Sequence, residues 1–174
     1  MNTPIQYGLF KSSLGRVLIA TSAKGVRSIL IGDTDAPLER DLARRFPRAE
    51  LKRDDARLAG EFAQVAAFLA APDRGLDLPL DLDGTAFQRR VWRALRGIPA
   101  GTTASYTDIA RRISAPKSFR AVAQACGANP VALAIPCHRV VRNDGALSGY
   151  RWGVARKRVL LSREARMNAS GARA

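Results

Sequence analysis

The chain has 174 residues, 47% of them apolar, with a formal net charge of +14, two cysteines and one histidine. That length allows two small domains, and no uncharged apolar run approaches the ~18 residues of a membrane span. Met1-Asn2-Thr3-Pro4 opens no basic-then-apolar leader, and three thiol and imidazole groups cannot close the usual four-ligand zinc site, so a cytoplasmic, metal-free protein with reduced thiols is expected.

Gln6 to Phe10, Arg16 to Thr21 and Val26 to Ile31 read as short strands, separated by Leu14-Gly15 and Lys24-Gly25 as turn signals. Their close spacing predicts an antiparallel meander. Leu38, Leu42 and Phe46 recur at helical spacing up to Pro47. Asp54 or Asp55 can cap a second helix carrying Leu58, Phe62, Val65 and Leu69, which Pro72 stops. Leu76, Leu78, Leu80 and Leu82 then alternate with Asp77, Pro79, Asp81 and Asp83, as in a strand or an extended linker with one wet face. This half, residues 1–83, reads as a small α/β domain whose acids are scattered and form no catalytic set.

Gly84-Thr85 marks a boundary, and the charge changes there. Residues 1–83 hold 12 Lys/Arg and 12 Asp/Glu, whereas residues 84–174 hold 17 and 3, the acids being Asp108, Asp144 and Glu164. The whole excess of positive charge lies in the second half, which favours a polyanionic partner. Thr85 can cap a helix bearing Phe87, Val91, Trp92 and Leu95, with Arg89, Arg90, Arg93 and Arg96 on its other face. Ser105-Tyr106-Thr107-Asp108 has the form of a capping box, with Asp in place of the usual Glu. The helix it opens ends near Pro116. Another follows from about Lys117 to Gly127, with Phe119, Val122, Ala123 and Cys126 expected inside. Two short helices with a tight turn between them suggest a helix-turn-helix.

Asn129-Pro130 ends that helix and leads into an apolar, strand-like run, Val131 to Ile135, before Cys137-His138. A thiol attacks as its thiolate, and a neighbouring base or cation promotes that form. Asn143-Asp144-Gly145 is a turn signal, and a last helix runs from about Val154 to Arg166. Glu164 falls one turn from the apolar Leu160 and Leu161. An acid on that face needs a partner, either Arg163 or Arg166 in a salt bridge or His138 in an orienting contact.

Pro136-Cys137-His138-Arg139-Val140 resembles the active-site motif of the O6-alkylguanine-DNA alkyltransferases. Val91-Trp92, Ser105-Tyr106, Arg120-Ala121-Val122 and Asn129-Pro130 fall in that family's order, so the likeness spans Phe87 to Glu164. Leu147-Ser148-Gly149-Tyr150-Arg151-Trp152-Gly153 is similar to the Ada-type branch, and residues 5–83 match its first alkyltransferase subdomain more loosely. The cysteine-rich zinc module that full Ada regulators carry ahead of this region is not seen, so their regulatory activity is not implied.

The resemblance implies a ribonuclease-H-like α/β subdomain (1–83), a mostly α winged helix-turn-helix subdomain (84–167) and a flexible tail (168–174). It implies a monomer that meets duplex DNA at the minor groove, flips an O6-alkylguanine out, and takes its alkyl group irreversibly onto Cys137 without a cofactor. Residue by residue, Cys137 would be the nucleophile, His138 its base, Glu164 the group that orients the histidine, and Asn129 the hinge bracing the turn. Tyr106 would help turn the nucleotide and offer a proton to guanine N3. Arg120 would fill the vacated stack, with Lys117, Thr107 and Ala121 on the same DNA-binding face. Val140 and Ser148 would contact the base, and Trp152 would line its pocket. A DNA-binding regulator would explain the charge without the Cys-His-Glu set, and a cysteine hydrolase would explain the dyad without the charge.

Overall fold

The three short apolar runs near the N-terminus fold as the expected meander in the computed structural model, which describes residues 4–171. Strands β1 (Ile5–Ser12), β2 (Gly15–Thr21) and β3 (Val26–Gly32) are antiparallel neighbours, with Leu9 opposite Leu18 and Leu18 opposite Leu30. Gly15 makes the first turn possible: its φ of 109° is in the region few side chains tolerate. Helix α1 (Asp35–Arg45) buries Leu38 and Leu42. The chain then adds β4 (Leu51–Arg53), parallel to β1 at the edge of the sheet, so the order is β3-β2-β1-β4. Nothing in the sequence reading anticipated this strand.

Helix α2 (Ala59–Ala70) buries Val65, Phe68 and Leu69, and Phe62 stacks on Phe10 with ring centroids 4.4 Å apart. Neither Asp54 nor Asp55 caps it. Asp54 accepts from the Arg57 amide at 3.1 Å and Asp55 from the Leu9 amide at 3.1 Å, so these carboxylates serve the preceding turn and β1. The leucine-aspartate alternation is a linker. It meets the edge of the sheet at β3, where Val26 donates to Pro79 O, Asp81 donates to Val26 O and Arg27 pairs with Asp81 and Asp83, and it buries Leu78.

Thr85 closes a full capping box on α3 (Ala86–Arg96), with Thr85 Oγ1 accepting from the Gln88 amide and Gln88 Oε1 from the Thr85 amide. Such caps contribute about 1 kcal/mol each. The Trp92 indole donates to Ala125 O at 2.9 Å, locking α3 against a later helix. Strand β5 (Ala104–Ser105) precedes α4 (Tyr106–Arg112), whose expected Ser105/Asp108 capping box is present on both sides. Helix α5 (Phe119–Gly127) buries Val122, Ala125 and Cys126. Phe119 and Ala123, expected inside, are exposed instead, because the buried face of this short helix runs through Val122 and Ala125. A two-residue strand, β6 (Val140–Val141), pairs parallel with β5.

Helix α6 (Val154–Gly171) continues past Arg166 and takes in part of the segment assigned to a tail; residues 172–174 of that tail lie outside the described residues. Among the described residues no helix is long and apolar enough to cross a membrane.

Candidate active site

The apolar run before Cys137 is not a strand. Val131 makes a single bridge to Ile29 of β3, Leu133 takes a φ of 72°, and the chain turns on itself until Cys137–Arg139 forms one 3-10 turn. The β-branched composition favoured a strand, but the side chain of Asn129 organises a turn. Its amide nitrogen donates to Ile135 O at 2.9 Å and to Cys137 Sγ at 3.2 Å, while its oxygen accepts from the Val131 amide at 2.9 Å. One buried amide thus satisfies backbone groups that a strand would have paired and touches the sulfur directly.

His138 is fully buried, and Nε2 lies 2.8 Å from Glu164 Oε1. Glu164, 1% exposed, is held on its other side by Arg139, whose Nε and Nη2 donate to its oxygens at 2.8–3.1 Å. Arg139, which the sequence reading did not name for this role, is therefore a salt-bridge partner of Glu164. Burial opposes the charge, yet the hydrogen bonds from His138 and Arg139 bring the Glu164 carboxyl down to about 2. Burial also pushes His138 below its ordinary value, against the pull of Glu164. The imidazole is then neutral, with Nε2–H donating to the carboxylate. That tautomer leaves Nδ1 as a free lone pair, and Nδ1 has no protein partner. A buried base whose lone pair is occupied by no donor is what proton abstraction needs.

Cys137 is 6% exposed. Burial pushes its thiol up to about 11, with the Asn129 amide, Lys157 and Arg151 pulling the other way. The resting side chain is consequently a thiol, and the thiolate expected from a neighbouring base must be made during the reaction. Cys126, also free, is pushed further, to about 12.

A cavity of about 550 Å³ reaches Cys137, with Tyr106, Arg120, Cys126, Ser148 and Tyr150 in its wall. Tyr106 Oη and Ser148 Oγ are 2.5 Å apart, and burial raises the Tyr106 pKa. Phe119, 45% exposed, stands at the cavity beside Arg120, whose guanidinium lies 5.8 Å from its ring centre. Lys117 is exposed, while Thr107 and Ala121 are half-buried and outside the cavity wall. Trp152 is buried, packs edge-on against Tyr150 and does not line the cavity; a side chain that large fills the space beneath the loop. Val140 is buried too, and its carbonyl accepts from Lys157 Nζ at 2.6 Å.

Lys157 was missed by sequence reasoning. Its ammonium is buried and also donates to Ser148 Oγ at 3.0 Å, joining β6 to the cavity wall. Arg139 and Arg151 were quoted only as parts of motifs. In a half so rich in arginine, a buried cation carries no signal of its own in the sequence.

The sequence model for the DNA-binding domain of 6-O-methylguanine DNA methyltransferase matches residues 86–166, and that for its ribonuclease-like domain matches residues 5–82. Over 164 residues the chain is 52% identical to the bifunctional transcriptional activator/DNA repair enzyme Ada of Escherichia coli, an alignment covering 94% of this chain and 46% of that protein. It thus spans about half the length of that relative. It is 41% identical over 151 residues to the inducible methylated-DNA--protein-cysteine methyltransferase of Bacillus subtilis, covering 85% of this chain and 83% of that one. The crystal structure of Mycobacterium tuberculosis OGT in complex with DNA matches with a TM-score of 0.80 at 36% identity, over 92% of this chain and 93% of that chain. With both domains matched in order, the chain belongs to the 6-O-methylguanine DNA methyltransferase family.

Proposed function

We propose that this protein is a methylated-DNA--protein-cysteine S-methyltransferase that repairs O6-alkylguanine in double-stranded DNA, one alkyl group per molecule. The observation that carries this reading is the buried array Asn129–Cys137 and His138–Glu164–Arg139, whose cysteine lines a cavity on the basic half. A neutral, buried histidine next to a thiol suits displacement at carbon.

The alkyl carbon lies inside the duplex, so the nucleotide must first leave the stack. Arg120 at the cavity mouth suits the gap it leaves, with Lys117, Thr107 and Ala121 meeting the minor groove around it. Once the base is in the cavity, a sulfur–carbon bond forms as the carbon–O6 bond breaks, and O6 keeps the electron pair. The thiol proton goes to His138 Nδ1 through one water, and the imidazolium is stabilised by Glu164. Glu164 stays ionised throughout because Arg139 holds it so. Tyr106 offers a proton to guanine N3, and Ser148 faces O6. The Val140 carbonyl is already engaged by Lys157 and keeps one lone pair for the exocyclic amine. The product thioether has no good leaving group, and the nearby Cys126 is held as a thiol by burial, so turnover ends there.

No step requires a metal or a cofactor. The reading is of a monomer acting in the bacterial cytoplasm, held at the nucleoid by its DNA affinity. Intact mass after mixing with an O6-methylguanine duplex tests it: one methyl is gained, mapping to Cys137. A protein that gains no mass, or gains it elsewhere, refutes the assignment.

A further inference from the structure

The N-terminal half has so far supplied only a sheet. Two of its elements nevertheless grip the segment that ends at the nucleophile. The backbone of β3 takes hold first: Ile29 donates to Pro130 O at 3.0 Å and accepts from the Ala132 amide at 2.9 Å. The second grip passes through a single side chain. Arg151 Nη1 donates to the backbone carbonyl of Asn129 at 3.0 Å, and Arg151 Nη2 donates to Asp41 Oδ2 of α1 at 3.0 Å.

These contacts land on the residue that matters. The Asn129 side chain is engaged by Ile135 O, Cys137 Sγ and the Val131 amide and its backbone N–H by Cys126 O at 3.2 Å, so its carbonyl is the group left to tie it to the N-terminal half. Arg151 fixes that carbonyl. We propose that Arg151 is a positioning residue, a planar brace through which Asp41 of the N-terminal half holds Asn129, and with it the Cys137 sulfur, in line for attack. The inference rests on the alkyl-transfer reading for its rate effect, and its mechanical content is independent of the substrate.

The geometry demands an arginine. Two acceptors on different elements are reached by two nitrogens of one rigid plane, and a lysine ammonium can satisfy only one of them while keeping the charge. Asp41 has a second neighbour, Arg44 at 3.7 Å, but that contact stays within α1 and does not reach the site.

The test uses the full chain as wild type, Arg151→Lys, Asp41→Asn and the double variant. Backbone hydrogen exchange over 129–141 should accelerate in each variant, while β1, β2 and α2 keep their protection. The maximal single-turnover rate should fall by about ten- to a hundredfold in Arg151→Lys, the range for small misplacements. In Asp41→Asn it should fall by less, with half-saturation by substrate unchanged because Asp41 does not itself line the cavity. The double variant should be no slower than Arg151→Lys alone, since both remove the same link. Additive losses, exchange that rises across the whole chain, or full rescue by lysine would each overturn the brace. If the wild type takes no methyl at all, the alkyl-transfer reading fails, and the exchange pattern still decides the brace.

Discussion

The two halves of this protein handle charge in opposite ways. Among the described residues, the buried polar side chains of the first half are the hydroxyls Thr21 and Ser28, and its ion pairs, such as Arg16–Asp35 and Arg27–Asp83, lie at the surface. The second half buries His138, Arg139, Lys157 and Glu164 together. Desolvating such groups costs several kcal/mol per ion unless hydrogen bonds offset it, so a fold does not collect them for stability alone. The contrast separates a scaffold built by apolar burial from a site kept for chemistry.

The harshest way to break that contrast is to remove the sulfur. Cys137→Ala should abolish alkyl transfer and leave duplex binding intact, whereas Cys126→Ala should keep transfer; intact mass and a binding titration read both. Next comes a matched pair of charge deletions. Glu164→Gln leaves Arg139 buried without its anion and should cost about 3–5 kcal/mol in urea unfolding. Asp83→Asn, in an exposed pair of the first half, should cost no more than about 1 kcal/mol. Similar losses at the two positions would erase the distinction.

Arg120 sharpens the comparison within the second half, because it sits at the mouth and not in the buried network. Arg120→Lys and Arg120→Ala should slow repair in duplex DNA by about tenfold or more, since unstacking a nucleotide costs a few kcal/mol. Transfer from free O6-methylguanine base should barely change. Equal losses on both substrates would assign Arg120 to the pocket or the fold instead.

The smallest effect concerns pH, and the lone histidine makes it clean. His138 is held neutral in the fold, so below about pH 6.5 the unfolded chain binds a proton that the folded chain refuses. Stability should therefore fall as pH drops from 7 to 5. His138→Gln should flatten that slope, which urea unfolding at the two pH values measures. Glu164 contributes in a lower window: its share is full above about pH 4.3 and is lost as pH falls through its folded value of about 2.

Much of this was readable from the residues. Short Val-, Ile- and Leu-rich runs between glycine turns marked three strands, and Thr85 and Ser105 marked two helix starts to the residue because capping boxes are local chemistry. The Cys-His-Glu set was visible through rarity: one histidine, one acid on an apolar helix face. What escaped had no local signature. β4 is three residues long and has no period to detect. Val131 to Ile135 looks like a strand because its pairing is taken by a side chain from outside the run. Trp152 reads as pocket or as core equally well. Whether Lys157 or Arg158 is buried depends only on how α6 is rotated against the turn.

The depth of the sulfur also bears on how long the protein lasts before use. With the thiol near 11, only about one molecule in ten thousand is a thiolate at pH 7. Peroxides and stray electrophiles attack thiolates, and they oxidise exposed ones first. On the proposed alkyl-transfer reading each molecule acts once, and any such side reaction would waste it. Holding Cys137 protonated and 6% exposed shields it from such losses, and the sulfur becomes a strong nucleophile only as His138 takes its proton.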